Sequence, residues 1–176
     1  AAGGLHGTAY STITISNSYT DEINQIIQIN ADTSSSVVGG LIGNIDDEGT
    51  INNSYSTINI VVNNRGNAQT SSGIAGEITN TTISNSYSSN NSLSIDGIGG
   101  TIIGGGIVGK IEDSVINKNH SNTEITLHST IASSSAGGLI GAVTGTSTIE
   151  KNYATNKKVN ITHIFFIRLY FPLNLY

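Results

Sequence analysis

Five copies of one short pattern govern what this chain can fold into. Gly-Gly-Leu-His-Gly begins at Gly3 and Gly-Gly-Leu-Ile-Gly at Gly39. Ser-Gly-Ile-Ala-Gly follows at Ser72, Gly-Gly-Ile-Val-Gly at Gly105, and Gly-Gly-Leu-Ile-Gly again at Gly137. The starts lie 36, 33, 33 and 32 residues apart. After each run comes an isoleucine with a ring four residues beyond it: Ile15 and Tyr19, Ile51 and Tyr55, Ile83 and Tyr87, Ile116 and His120, Ile149 and Tyr153. In the fourth copy the ring is an imidazole. A fixed period of about 20–50 residues marks a solenoid, a propeller or another array of stacked units.

The local chemistry says which. Val, Ile, Thr, Tyr and Ser recur in short runs broken by Gly, Asn and Asp, which is strand-and-turn composition. No stretch holds apolar residues at helical spacing without an interrupting glycine. Alternation appears instead at Thr57-Ile58-Asn59-Ile60, Ser92-Leu93-Ser94-Ile95, Glu124-Ile125-Thr126-Leu127 and Lys158-Val159-Asn160-Ile161, with branched apolar side chains on one face. A repeat of this length is short for a propeller blade, which needs roughly 40 residues or more. It suits one coil of a parallel β-solenoid, stacked about 4.8 Å from the next. The expected fold is therefore all-β: a solenoid of about five coils over residues 1–162, followed by a distinct C-terminal strand over residues 163–176. Five coils would span about 24 Å. A right-handed winding is expected from the general crossover preference.

Stacking coils in register turns each repeat position into a column. Leu5, Leu41, Ile74, Ile107 and Leu139 should form one inward ladder. The isoleucines from Ile15 to Ile149 should form a second, and Tyr19, Tyr55, Tyr87, His120 and Tyr153 a column of rings. Gly7, Gly43, Gly76, Gly109 and Gly141 close each run. Glycine there permits both a close approach of neighbouring backbones and a positive φ. A bulky replacement should strain the corner.

The order Gly-Gly-Leu-Ile-Gly, a short variable turn, then Ile-x-Asn-Ser-Tyr-Ser/Ala-Thr resembles the GLUG repeat of bacterial and other surface proteins. The matching segments are 39–57, 72–88, 137–155 and, more loosely, 3–20 and 105–122. The resemblance implies a β-helical stalk on an extracellular or cell-surface protein of adhesin type. It implies no catalytic residues and no cofactor. This chain departs from the usual pattern at Ile58 and Asn156, where glycine commonly follows the Tyr-Ala-Thr element, and at His120.

Composition narrows the function classes. Charged residues make up 11% of 176 residues and the net charge is −5, so no basic stripe exists for nucleic acid. Cysteine is absent, which removes disulfides and thiolate metal sites. The sequence opens inside a repeat and contains no Met, as expected of a processed chain or a segment of a longer one. Sequons at Asn52, Asn80, Asn90, Asn119 and Asn160 are candidate glycan acceptors in a secreted eukaryotic protein.

The last residues are different material. All three phenylalanines and the sole proline lie between Phe165 and Pro172. Ile167, Leu169, Phe171, Leu173 and Leu175 alternate with Arg168, Tyr170, Pro172, Asn174 and Tyr176, giving one apolar face at period two. Arg168 and Pro172 interrupt it too soon for a membrane-spanning helix. Three roles fit: a cap over the last coil, a strand donated to a second subunit, or the start of an anchor. The second would give head-to-tail self-association, since heterologous contacts that do not close make filaments.

Other motifs carry less. Gly104 to Lys110 has the glycine spacing of a phosphate-binding loop, but Ile111 stands where Ser or Thr is needed and no helix is expected to follow. The histidines His6, His120, His128 and His163 lack zinc-site spacing. Asp46-Asp47-Glu48 lacks the order of a calcium loop and reads as a solvated turn. Thr12-Ile13-Thr14 has no aligned copies, so it makes no ice-binding face. Glu77, Glu112 and Glu124 share no column, so no catalytic pair is assigned. The expected role is structural or adhesive, with surface glycans or host ligands as possible partners. The rival is a β-helix that binds or cleaves glycans through stacked Tyr and acidic side chains.

Overall fold

The computed structural model describes residues 1–21, 25–31, 34–64, 66–89, 92–130 and 133–163. Over these the chain is a parallel β-solenoid without helix. The alternating tail residues Ile167, Leu169, Phe171, Leu173 and Leu175, and the sequon Asn90, lie outside the described residues.

Each coil lays down five short strands, one on each of five sheets. In the third coil these are Gln69–Ser72, Ala75–Thr79, Thr81–Ser84, Tyr87–Ser88 and Leu93–Gly97, and the sheets are numbered one to five in that order. Successive coils open at Ala2, Ser36, Gln69, Ile102 and Ser135. The fifth ends with the strand Val159–His163, one residue past the expected boundary. Every sheet holds one strand per coil, in coil order, with parallel pairing. The short glycine, asparagine and serine corners leave each strand no partner in its own coil. Its hydrogen bonds go up and down the axis instead.

The expected columns are present residue for residue. The Leu5 amide donates to the Leu41 carbonyl, Leu41 to Ile74, Ile74 to Ile107 and Ile107 to Leu139, at 2.8–3.0 Å. Ile15, Ile51, Ile83, Ile116 and Ile149 are successive register partners. Leu41, Ile74, Ile107, Ile51, Ile83 and Ile116 are wholly buried, each contributing roughly 1.5–3 kcal/mol. Leu5 is 48% exposed and Ile149 44%, because among the described residues coils one and five have a neighbouring coil on one side only. A second apolar cluster, including Val38, Ile60, Val62, Ile95, Ile102 and Leu127, fills the space between sheets one and five.

The glycines act through space rather than dihedral angle. None of the run glycines has a positive φ; among described glycines only Gly145 does. That corrects half of the expectation for Gly7, Gly43, Gly76, Gly109 and Gly141. A Cβ on Gly76 would lie 2.5 Å from the Gly43 carbonyl oxygen and 2.7 Å from Val37 Cγ1. On Gly109 it would lie 2.4 Å from Thr70 Cγ2. Gly7 is looser: its nearest neighbour would be the Ala1 carbonyl oxygen at 3.4 Å. The middle glycines face a hydroxyl column across the interior, since a Cβ on Gly40 or Gly106 would sit 2.2 or 2.1 Å from Ser56 or Ser121 Oγ. Ser72 replaces the first glycine of its run and donates its hydroxyl to the Ala75 carbonyl at 2.5 Å.

Candidate functional site

The most distinctive surface is the ring column on sheet four. Its strands are two residues long, Tyr19–Thr20, Tyr55–Ser56, Tyr87–Ser88, His120–Ser121 and Tyr153–Ala154. In each, the ring points outward and the small residue inward. Tyr19 stacks on Tyr55 at 5.0 Å between centroids and 4° between planes, and Tyr55 on Tyr87 at 4.7 Å and 7°. His120 stacks on Tyr153 at 4.3 Å and 16°. The rings therefore follow the strand spacing in two stacks, Tyr19–Tyr55–Tyr87 and His120–Tyr153, within which the inner faces are spent on one another. Edges and hydroxyls face solvent. A sugar that stacks on an aromatic needs a free ring face. The outer faces of Tyr19 and Tyr153 are left at the ends of the column, and the facing sides of Tyr87 and His120 are not stacked on each other.

Polar groups tie this column together. Asp21 accepts from the Tyr55 hydroxyl at 3.2 Å and from Thr57 Oγ1 at 2.8 Å, joining the first two coils. His120 Nε2 and Thr155 Oγ1 lie 2.9 Å apart, joining the last two. Partial burial, then the Asp21 carboxylate, hold the Tyr55 phenol above its ordinary pKa. The same two causes, in the same order, raise Tyr87.

The corner that aims each ring was not foreseen. The residue two before every ring, Asn17, Asn53, Asn85, Lys118 or Lys151, has φ between 49° and 57°. This left-handed turn swings the chain from sheet three to sheet four. Asparagine adopts it more readily than other non-glycine residues. The next residue builds an internal polar ladder. The Ser18 amide donates to Ser54 Oγ, Ser54 to Ser86 Oγ, Ser86 to Asn119 Oδ1 and Asn119 to Asn152 Oδ1, at 2.8–3.2 Å. The repeated Asn-Ser before Tyr was the available signal.

That ladder decides one sequon. Asn119 is fully buried, and its side-chain amide donates to the Ile83 carbonyl at 2.9 Å and to Asn152 Oδ1 at 3.1 Å. A glycan on Asn119 is incompatible with this fold, which corrects its inclusion among the acceptors. Asn80 and Asn160 are exposed, and Asn52 is half-buried with Oδ1 accepting from Ser84 and Asn85.

The remaining candidates sort as follows. Glu77 and Glu112 belong to different columns, as expected, yet border one depression with Asn44, Asp46 and Lys110. Its volume is about 30 Å³, room for a water or two rather than a sugar ring. Glu124 sits on sheet five's side of the coil, its carbonyl accepting from the Leu93 amide. Asp46, Asp47 and Glu48 are all exposed. Gly104 and Gly105 end one strand and Val108–Glu112 forms the next, so no helix N-terminus is there to meet phosphate. His128 pairs with Asp96 on sheet five, and His6 with Ile42 on sheet two. Among the described residues, no group of three or more His, Asp or Glu is placed to hold a metal ion. The chain matches no family model, no curated protein and no solved structure.

Proposed function

We propose that this chain is a structural element: a stiff β-solenoid segment of an extracellular surface protein or filament, serving as stalk or adhesive scaffold. The observation that carries this reading is the sameness of the coils. Each coil repeats the same columns, and the rings stack coil on coil within two runs, Tyr19–Tyr55–Tyr87 and His120–Tyr153. Among the described residues, the depressions beside Ala2 and beside Glu77 hold about 160 and 30 Å³, below the usual ligand-pocket range of about 300–1,000 Å³. The GLUG-like arrangement supports a cell-surface location. Self-association through the alternating apolar segment from Ile167 to Leu175 is part of the same proposal.

Thermal shift against a panel of oligosaccharides tests it. The structural reading expects no sugar to move the unfolding temperature and expects rods or fibres by electron microscopy. A sugar-dependent rise, lost on replacing Glu77 or Glu112 with Ala, would favour the glycan-active reading instead.

A further inference from the structure

The chain has no cysteine with which to join one coil covalently to another, yet it stacks tyrosines on tyrosines along sheet four. We infer that Tyr55 and Tyr87 form an oxidative cross-linking site, where a carbon–carbon bond between the two rings staples the second coil to the third. The co-reactant is a one-electron oxidant of the haem-peroxidase class, driven by hydrogen peroxide. Such a staple would serve the structural role proposed above, but the site needs only the ring geometry.

That geometry is set by the backbone. Tyr55 and Tyr87 are register partners. The Tyr55 amide donates to the Ser18 carbonyl and the Tyr87 amide to the Ser54 carbonyl, each at 3.1 Å. Their ring centroids lie 4.7 Å apart with 7° between planes. Near-parallel rings on register partners set like atoms over like, so the ring carbons beside the two hydroxyls face each other at a similar separation. Reactive groups held this way need no diffusional encounter. The edges are also reachable: Tyr87 is 39% exposed and Tyr55 is half-buried. The far side of Tyr87 is not stacked on His120, which leaves that ring room to tilt as its outer edge closes on Tyr55.

A proton acceptor is in place at one ring. Oxidising a phenol removes an electron and the hydroxyl proton. The Tyr55 hydroxyl already donates to Asp21 Oδ2 at 3.2 Å, so its proton passes to that carboxylate. The Tyr87 proton leaves to water. The two radicals couple through the carbons beside their oxygens, forming one C–C bond. The hydrogen on each of those carbons then leaves as a proton and the oxygens regain theirs, restoring two phenols. In sum, two ring C–H bonds break, and two electrons and two protons reduce one hydrogen peroxide to two waters.

The other tyrosines are worse placed. Tyr19 stacks on the opposite face of Tyr55 at 5.0 Å and is the competing partner. Tyr153 stacks on His120, and neither Tyr153 nor Tyr10 has a tyrosine stacked on it among the described residues. Those two are 59% and 79% exposed, so their coupling would join separate molecules.

Peroxidase treatment of the full chain tests this. Dilute wild type, mixed equally with a uniformly ¹⁵N-labelled copy, is treated with a haem peroxidase and hydrogen peroxide, followed by dityrosine fluorescence, and digested with trypsin. Residues 1–64 contain no Lys or Arg, so Tyr19 and Tyr55 stay on one peptide and Tyr87 falls on the next, 66–110. The expected main product joins these two peptides with loss of two hydrogens, and both halves carry the same isotope. Tyr55→Phe keeps a stacked ring and should lower same-isotope dityrosine about tenfold. Tyr87→Phe should abolish the two-peptide product. Asp21→Asn should slow its formation about tenfold. Circular dichroism checks that each variant folds. Mixed-isotope product in the majority, or linkage mainly through Tyr10, Tyr19 or Tyr153, would overturn the proposal, as would a yield unchanged in Tyr55→Phe. An unchanged rate in Asp21→Asn would overturn the part given to that carboxylate. None of these outcomes touches the sugar and fibre tests of the structural reading, so the two can fail separately.

Discussion

The residue two before each ring is the most demanding single position of the coil. Asn85 and Lys118 occupy the same left-handed conformation, at φ 49° and 57°, and both are exposed. Asn85→Val should therefore lower stability by about 1–2 kcal/mol through backbone strain, with a smaller loss from its exposed hydrogen bond to Asn52 Oδ1. Lys118→Gly should raise it by up to about 1 kcal/mol. Urea denaturation of the two variants measures both, and a neutral Asn85→Val would show that the corner relaxes. Ser71 makes a different case. It is fully buried in the column between Val38 and Gly104, and its hydroxyl has no hydrogen-bond partner among the described residues. Ser71→Ala removes an unsatisfied polar group and should stabilise the chain by about 1–3 kcal/mol, read from the same denaturation curves.

At the scale of the column, position along the axis sets the cost of a change. Ile83 and Ile149 occupy the same repeat position, but one is fully buried and the other 44% exposed. Ile83→Ala should cost about 2–5 kcal/mol and Ile149→Ala less than about half of that. Equal losses would mean that coil five is as enclosed as coil three. The ring column gives a pH signature. Tyr55 and Tyr87 ionise above the ordinary phenol value in the folded chain. The folded state thus holds these protons more tightly than the unfolded state. Their contribution to stability is complete below about pH 10 and is lost as pH rises through the folded values. Urea midpoints taken across that range should fall, and Asp21→Asn should lessen the fall by removing the neighbouring carboxylate.

The columns were readable because the period repeats like residues at like positions. Ile15 through Ile149 and Tyr19 through Tyr153 needed only alignment. Sequence could not show why the glycines are there. Gly76 is required by Val37 Cγ1 from the preceding coil, a contact 39 residues away in sequence. Nor did Asn119 look different from Asn80, since both head a sequon. Only the position on the corner separates a buried ladder amide from an exposed one. Glu77 and Glu112 shared no column yet came to border one depression, because neighbouring columns of adjacent coils touch diagonally.

Among the described residues, the whole molecule is a stack whose interior is fully covered between coils two and four. Stability should accordingly be lowest at the ends, where Leu5 and Ile149 are half-covered. The proposed stalk or filament role draws on the repetition of the same columns along the axis. The same geometry fixes the distance between equivalent positions on successive coils. Thr14, Thr50, Thr82, Val115 and Thr148 form one column of register partners on sheet three, and Thr14 and Thr148 are both exposed. The chain has no cysteine, so Thr14→Cys/Thr148→Cys takes two spin labels at defined places. Pulsed dipolar spectroscopy on that variant, diluted below any self-association, should give a single narrow distribution corresponding to four coil steps, about 19 Å between backbones. A broad distribution, or one centred far beyond that span, would contradict the in-register stack.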